Sequence, residues 1–205
     1  MSIRSVVPDN IGWLEYDLSK EELDHVWKCI ENKKQCMSAG LAGNINSSFE
    51  LEDTNDWFFH NCVSKLLNAY GENFNNLGAD IPNNNTHPYY MNQWWVNFQK
   101  QHDFNPLHDH YGVYSFVIFM KIPVDFKEQN KDNVTNTPLR SAFQFVYTDI
   151  MGGIKTEEYQ LSTEDEGPML FFPSGLHHQV YPFYNCDQER ITVSGNIAIN
   201  TKIQL

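Results

Sequence analysis

Three histidines in two separate stretches are the residues most able to hold a metal. His108 and His110 lie in Asn105-Pro106-Leu107-His108-Asp109-His110-Tyr111-Gly112-Val113-Tyr114-Ser115-Phe116-Val117-Ile118-Phe119-Met120. The end of that stretch is rich in β-branched and aromatic residues and reads as a strand. Side chains alternate along a strand, so His108 and His110 should project together while Asp109 turns away. The remote third candidate is His178, in Phe171-Phe172-Pro173-Ser174-Gly175-Leu176-His177-His178-Gln179-Val180-Tyr181-Pro182. Three protein ligands on one side of a metal leave positions for a co-substrate and oxygen, the arrangement non-heme iron needs. Twelve positions after His178, Arg190 opens the apolar strand Arg190-Ile191-Thr192-Val193-Ser194-Gly195-Asn196-Ile197-Ala198-Ile199, with Thr192 on the same face. A guanidinium fork beside a hydroxyl is a receptor for a carboxylate.

Each assignment has a competitor. His177 and His178 are adjacent, so one of them must face away from the core; the motif favours His178. Asp109 becomes the ligand in place of a neighbouring histidine only if a β-bulge breaks the alternation there. Arg190 could instead serve a surface ion pair, and Thr192 is a common strand residue. His25 and His60 fall in helical sequence, His102 in a loop and His87 beside a proline, and none is assigned a ligand role. Tyr89, Tyr90, Trp94 and Trp95 read as core and rim.

The elements that must position these groups fall into two regions. Residues 19 to about 34 read as a helix, with Ser19 or Asp17 as cap, Glu22 at capping-box spacing, and Leu23, Val26, Trp27 and Ile30 as the apolar stripe. A Gly-rich loop (Ala39-Gly40-Leu41-Ala42-Gly43-Asn44) follows. A second helix is predicted from Asp53 or Thr54 to between Asn75 and Gly78, burying Trp57, Phe58, Val63, Leu66, Leu67 and Tyr70. The run Asn83-Asn84-Asn85 and its flanking prolines end regular structure. After Pro88 the texture changes to strands near 89–99, 113–122, 142–149, 169–172, 177–182 and 190–199, with a weaker one near 157–161. Met151-Gly152-Gly153 reads as a hairpin tip, and 123–139 as a polar loop. Strands after helices give a mainly β fold: a jelly roll or related barrel with the helices outside it. The expected organisation is one domain over 1–205, helical over 1–88 and jelly-roll over 89–205.

The order His-x-His, then Phe-Pro-Ser-x-Leu-x-His-x-Val-x-Pro, then Arg-x-Thr resembles the Fe(II)/2-oxoglutarate-dependent dioxygenase superfamily. Within it the chain looks most like small members related to prolyl hydroxylases, including ones encoded by marine phages. The resemblance covers roughly Trp94 to Asn200 and implies a double-stranded β-helix (cupin-like) core. Carried over, it makes His108, His110 and His178 the ligands of Fe(II). Arg190, assisted by Thr192, becomes the holder of the distal carboxylate of 2-oxoglutarate, with Asn97 and Gln99 near its 2-oxo acid. O2 is the oxidant, and hydroxylation of an unactivated C–H bond, such as that of a proline in a protein or peptide, is the implied reaction. The chain departs from the pattern at His110, where most members carry Asp or Glu. Two other readings stay open: a three-histidine cupin-like dioxygenase that does not use 2-oxoglutarate, and a non-catalytic jelly-roll module.

Composition narrows the partners. A formal charge of −12 and pI near 4.9 oppose a sequence-independent grip on nucleic acid. The four cysteines (Cys29, Cys36, Cys62, Cys186) lack zinc or disulfide spacing and read as reduced thiols. The N-terminal residues Met1 to Pro8 contain no long apolar stretch, so a soluble cytoplasmic protein (in the host cytoplasm for a phage-encoded chain) is expected. The sequons at Asn46 and Asn133 carry no weight without a secretory signal.

Overall fold

A computed structural model of the chain describes residues 3–6, 11–45, 47–82 and 87–203. The sequon at Asn46, residues 1, 2, 7 and 8, and the run 83–85 lie outside the described residues.

The first helix, α1 (Lys20–Glu31), begins as its sequence dictates. Ser19 Oγ accepts from the Glu22 N–H, and the Glu22 carboxylate accepts from the Ser19 N–H at 2.7 Å. The same carboxylate accepts from Tyr16 Oη at 2.9 Å and Lys65 Nζ at 2.6 Å, so one capping residue ties the first strand to both helices. Its buried stripe is Glu22, Val26, Cys29 and Ile30, which leaves the expected core residue Trp27 at the stripe's edge and 36% exposed. The second helical region is broken where one continuous helix was expected. A 3-10 turn (Thr54–Asp56) has Asn55 at φ 58°, a π-turn spans Phe59–Val63, and regular helix begins only at α2 (Ser64–Phe74). The Asp53 carboxylate takes up the free Phe58 and Phe59 N–H groups at that kink, at 2.8 and 2.9 Å. A third helix, α3 (Phe126–Asn130), occupies the segment expected to be only loop; Asp125 caps it and Phe126 is its buried anchor.

Ten strands follow in chain order: β1 (Leu14–Asp17), β2 (Ser48–Glu50), β3 (Tyr89–Gln99), β4 (Asn105–His108), β5 (Tyr114–Lys121), β6 (Phe143–Thr148), β7 (Ile154–Tyr159), β8 (Pro168–Pro173), β9 (His177–Val180) and β10 (Arg190–Ile199). All pairings are antiparallel. They make a six-stranded sheet, β1-β8-β5-β10-β3-β2, facing a four-stranded sheet, β4-β9-β6-β7. This is a double-stranded β-helix. The strands the sequence did not announce are β1, β2 and β4, which are short; β4 carries a proline, which suits an edge strand.

Strand β5 is buried along almost its whole length because each face is covered by something different. Phe116, Ile118 and Met120 pack with Trp94, Val193 and Ile197 against Val26, Phe58, Val63, Leu66 and Tyr70 of the helical layer. Val117 and Phe119 face the other way, joining Phe143, Phe145, Leu170 and Phe172 between the sheets. The helices therefore hold the large sheet from outside and leave its inner face free to line a cavity. No helix among the described residues is long and apolar enough to cross a membrane.

At Gly195 the Phe116 ring lies where a side chain would go, since an added Cβ would meet ring carbons at 2.5 Å. Gly195→Ala should lower unfolding free energy by about 1–3 kcal/mol through overpacking, read as a reduced urea midpoint at unchanged m-value. An unaltered midpoint would show that the ring moves aside freely.

Candidate metal and anion site

The three histidines converge, by a route that differs from the one expected. His108 and His110 do not share a strand: His108 is the last residue of β4, and His110 lies in the turn leading to β5, anchored by its N–H to the Ser174 carbonyl at 2.9 Å. What brings the set together is strand pairing across the small sheet, where His108 and His178 are direct Cα partners. Ring centroids are 4.3 Å apart for His108–His178, 4.9 Å for His110–His178 and 5.1 Å for His108–His110. One ligand nitrogen from each lies within 4.8 Å of the others. Asp109 is exposed and contributes no oxygen to the group, and His177 faces out of the small sheet.

Hydrogen bonding fixes which nitrogens face inward. His108 Nδ1 lies 2.7 Å from the Pro106 carbonyl and His178 Nδ1 2.9 Å from the Leu176 carbonyl. A carbonyl only accepts, so each Nδ1 carries the proton and each Nε2 keeps its lone pair for the centre. His110 Nε2 sits 3.1 Å from His178 Nε2. A proton on His110 Nε2 would be donated to His178 Nε2, and with both lone pairs directed inward the same gap takes a cation. Burial pushes the pKa of all three rings down: His110 to about 4, His108 lower than usual, and His178 well below, the neighbouring rings adding repulsion at His110 and His178. The rings are thus neutral near pH 7 and available as nitrogen donors. This donor set fits a first-row divalent metal.

Arg190 is fully buried, at 0% exposure, at the start of β10. Its Nη2 donates to the Ser141 carbonyl at 3.0 Å and to Ser141 Oγ at 2.6 Å, and Nη1 reaches the Tyr181 carbonyl at 3.5 Å. The guanidinium also lies 5.1 Å from the Phe183 ring centroid. Its Nε has no partner, and no carboxylate pairs with the group among the described residues. Burial alone lowers its pKa, to about 10, so it remains charged at neutral pH. A buried guanidinium held only by neutral acceptors is a costly arrangement that an anionic ligand would relieve.

Both groups line one cavity of ≈ 230 Å³ between the sheets. Inward residues of β10 and β3 form rungs across it: Arg190 opposite Gln99, Thr192 opposite Asn97, Ser194 opposite Trp95, and Asn196 opposite Gln93. Asn97 Nδ2 approaches Thr192 Oγ1 at 3.5 Å, and its Oδ1 accepts from Ser48 Oγ at 2.7 Å. Gln99 Nε2 donates to the Asp103 carbonyl at 2.6 Å. All seven residues singled out in the sequence line this cavity. Sequence reading missed Ser141, the hydroxyl that aims Arg190, and the Trp95 ring, placed in core or rim but lying 5.7 Å from that of His110. The Gly-rich loop was also missed as cavity wall. Its residues 40–42 line the cavity, and Ala42 accepts from Asn105 Nδ2 at 2.6 Å beside Gly43 at φ 123°. The signals were weak: an isolated serine, one tryptophan of a pair, and glycines with no neighbouring motif.

Comparison with known proteins identifies the family and the fold. The sequence model of the family described as "Putative 2OG-Fe(II) oxygenase" matches residues 93–196, just over half of the chain. No curated protein matches the sequence. Among solved structures, the chain is similar to a Pseudomonas putida prolyl-4-hydroxylase (TM-score 0.52, 12% identity, covering 93% of this chain and 94% of that one). It is also similar to the carbocyclase SnoK from nogalamycin biosynthesis, described as non-heme and alpha-ketoglutarate dependent (TM-score 0.55, 8% identity, 93% and 80% covered). A third is the viral collagen prolyl hydroxylase of Paramecium bursaria Chlorella virus-1 (TM-score 0.50, 11% identity, 90% and 94% covered). At these identities the structural likenesses establish the fold.

The paired histidines of β9 provide a test internal to the strand. His178→Ala should abolish stoichiometric Mn(II) binding in equilibrium dialysis, whereas His177→Ala, one residue away on the opposite face, should retain it. Equal losses in the two variants would place the metal elsewhere.

Proposed function

The chain belongs to the 2OG-Fe(II) oxygenase family, and from that premise we propose that His108, His110 and His178 hold Fe(II) while Arg190 and Thr192 hold the distal carboxylate of 2-oxoglutarate. One observation carries this reading: a converging set of three imidazoles shares a cavity with a fully buried guanidinium that has no carboxylate partner among the described residues. When bound, iron and 2-oxoglutarate supply the oxidising chemistry, in which O2 is consumed, 2-oxoglutarate yields succinate and CO2, and one oxygen atom enters a C–H bond of the target.

The protein's own groups set the conditions for that chemistry. Arg190, held by Ser141 and the Tyr181 carbonyl, offers its free Nε and charge to the far end of the diacid. Thr192 adds a hydroxyl one rung nearer the histidines, and the Asn97 amide beside it can donate to the body of the co-substrate. Gln99 stands on the Arg190 rung, with Nε2 engaged by Asp103, and so belongs with the distal carboxylate rather than with the 2-oxo acid. Phe119, Phe143 and Phe172 make the wall around the histidines apolar and exclude water. Three neutral imidazoles supply no negative charge, and Asp109 is the only acidic residue lining the cavity. A dianion therefore compensates both the metal and Arg190, and the two ligands should bind as a coupled pair. A C–H bond in a protein or peptide residue such as proline is the target class that the family's prolyl hydroxylases suggest.

In a thermal-shift matrix, 2-oxoglutarate should raise Tm only when Mn(II) is present; at about a hundredfold excess over Kd the gain corresponds to about 2.7 kcal/mol. Arg190→Met, which keeps bulk and removes charge, should erase the acid's effect while leaving that of the metal. Additive shifts independent of Arg190, or oxygen uptake by the Fe(II) protein without added 2-oxoglutarate, would contradict the proposal.

A further inference from the structure

The rungs of the cavity order its contents. Inward residues on one strand are separated by about 6.6 Å, so Arg190, Thr192, Ser194 and Asn196 mark four levels along β10. His110 lies against Trp95, which is opposite Ser194, and the turn after it touches the far end of β10, where the Val113 N–H donates to the Ile197 carbonyl at 2.7 Å. His110, and with it the group of three rings it belongs to, is therefore placed nearest the third rung. Arg190 lies two rungs to one side of them. The fourth rung, Asn196 and Gln93, lies on the other side, where the cavity meets solvent: Gln93 and Tyr111 both line it and both are exposed.

That fourth rung is a built polar device. Asn196 is 3% exposed and Ser115 1% exposed. Ser115 Oγ donates to Asn196 Oδ1 at 2.8 Å, and Asn196 Nδ2 donates to Gln93 Oε1 at 3.0 Å. The relay engages the Gln93 carbonyl and so leaves its NH2 group, on a residue that lines the cavity, without an intramolecular partner among the described residues. Burying two polar side chains to orient a third is wasteful for a merely solvated surface amide. The surroundings limit what this NH2 can meet. Asp109 lines the same cavity, and Arg190, the one Lys or Arg side chain among its described lining residues, lies at the opposite end. With an overall charge of −12, an anionic group arriving at this rung is opposed.

We propose that Gln93, oriented by Asn196 and Ser115, is a specificity-determining residue that donates to an uncharged carbonyl oxygen of the target, seating the target's C–H beside the metal on the side away from Arg190. The inference rests on the oxygenase reading and specifies the target's chemistry within it: an amide or peptide carbonyl is accepted, and a carboxylate in its place is rejected. Asn196 and Ser115 act through Gln93 as positioning residues.

The test uses a matched pair, N-acetylprolinamide and N-acetylproline, which differ in an amide against a carboxylate. With the full-length protein loaded with Mn(II) and 2-oxoglutarate, paramagnetic relaxation of probe protons reports binding beside the metal. The amide should be relaxed more strongly than the acid by roughly tenfold, the discrimination expected when a polar partner is lost. Gln93→Met, which removes the donor without adding charge at an exposed position, should bring the amide down to the level of the acid. Its 2-oxoglutarate affinity should stay within about twofold of the wild type, because Arg190 lies at the other end. Asn196→Ala should weaken the preference without affecting the diacid. Equal relaxation of both probes by the wild type, or a preference for the amide that survives Gln93→Met, would overturn the proposal. Failure of the metal-loaded wild type to bind 2-oxoglutarate would instead overturn the catalytic reading, and this inference with it.

Discussion

The site depends on one cross-strand pair. His108 ends β4 opposite His178 of β9, two short strands at one side of the small sheet, and only that register turns both rings into the cavity. A slip of one residue would bring His177 inward and leave an imidazole facing the outer surface. The register is held from both sides. Phe145 of β6 is the Cα partner of His178, and its ring packs on Phe172 and His178. Asn105, at the start of β4, is tied to the Gly-rich loop through the Ala42 carbonyl. The strands are too short to hold register by hydrogen bonding alone, and side-chain packing supplies the rest.

The second constraint is charge. A buried guanidinium without a counter-ion, and three imidazoles kept neutral by burial, make a cavity poised for a cation at one place and an anion at another. Neither group gains from the other, and each is relieved by ligand. Stability and function are therefore linked: the fold tolerates an unfavourable interior because the helical layer and the Phe-rich wall between the sheets stabilise it independently.

Much of this was legible in the sequence because the informative residues are local. The Ser19–Glu22 capping box and the long apolar strands 89–99 and 190–199 each follow from short-range patterns that the structure reproduces, whereas Pro88 does not divide helices from strands: β1 and β2 precede it and α3 follows it. The seven candidate residues, singled out by two motifs, an i, i+2 strand rule and a family resemblance, all line one cavity. The geometry was less legible. His108 and His110 met through a strand end and a turn rather than through one strand face, because the chain bends between β4 and β5. Short β1, β2 and β4 are defined by their partners and carry little pattern of their own. Ser141, Trp95, Gln93 and Asn196 became visible only when strand pairing laid them along one cavity, since nothing in their local sequence separates a lining residue from a packed one.

X-ray absorption at the iron edge of the anaerobic Fe(II)-loaded protein tests the central claim most directly, because it counts the imidazoles around the metal. The account predicts a single iron per chain with scattering from three histidine rings and no carboxylate from the protein. Fewer than three rings, or a protein carboxylate completing the set in place of His110, would contradict it.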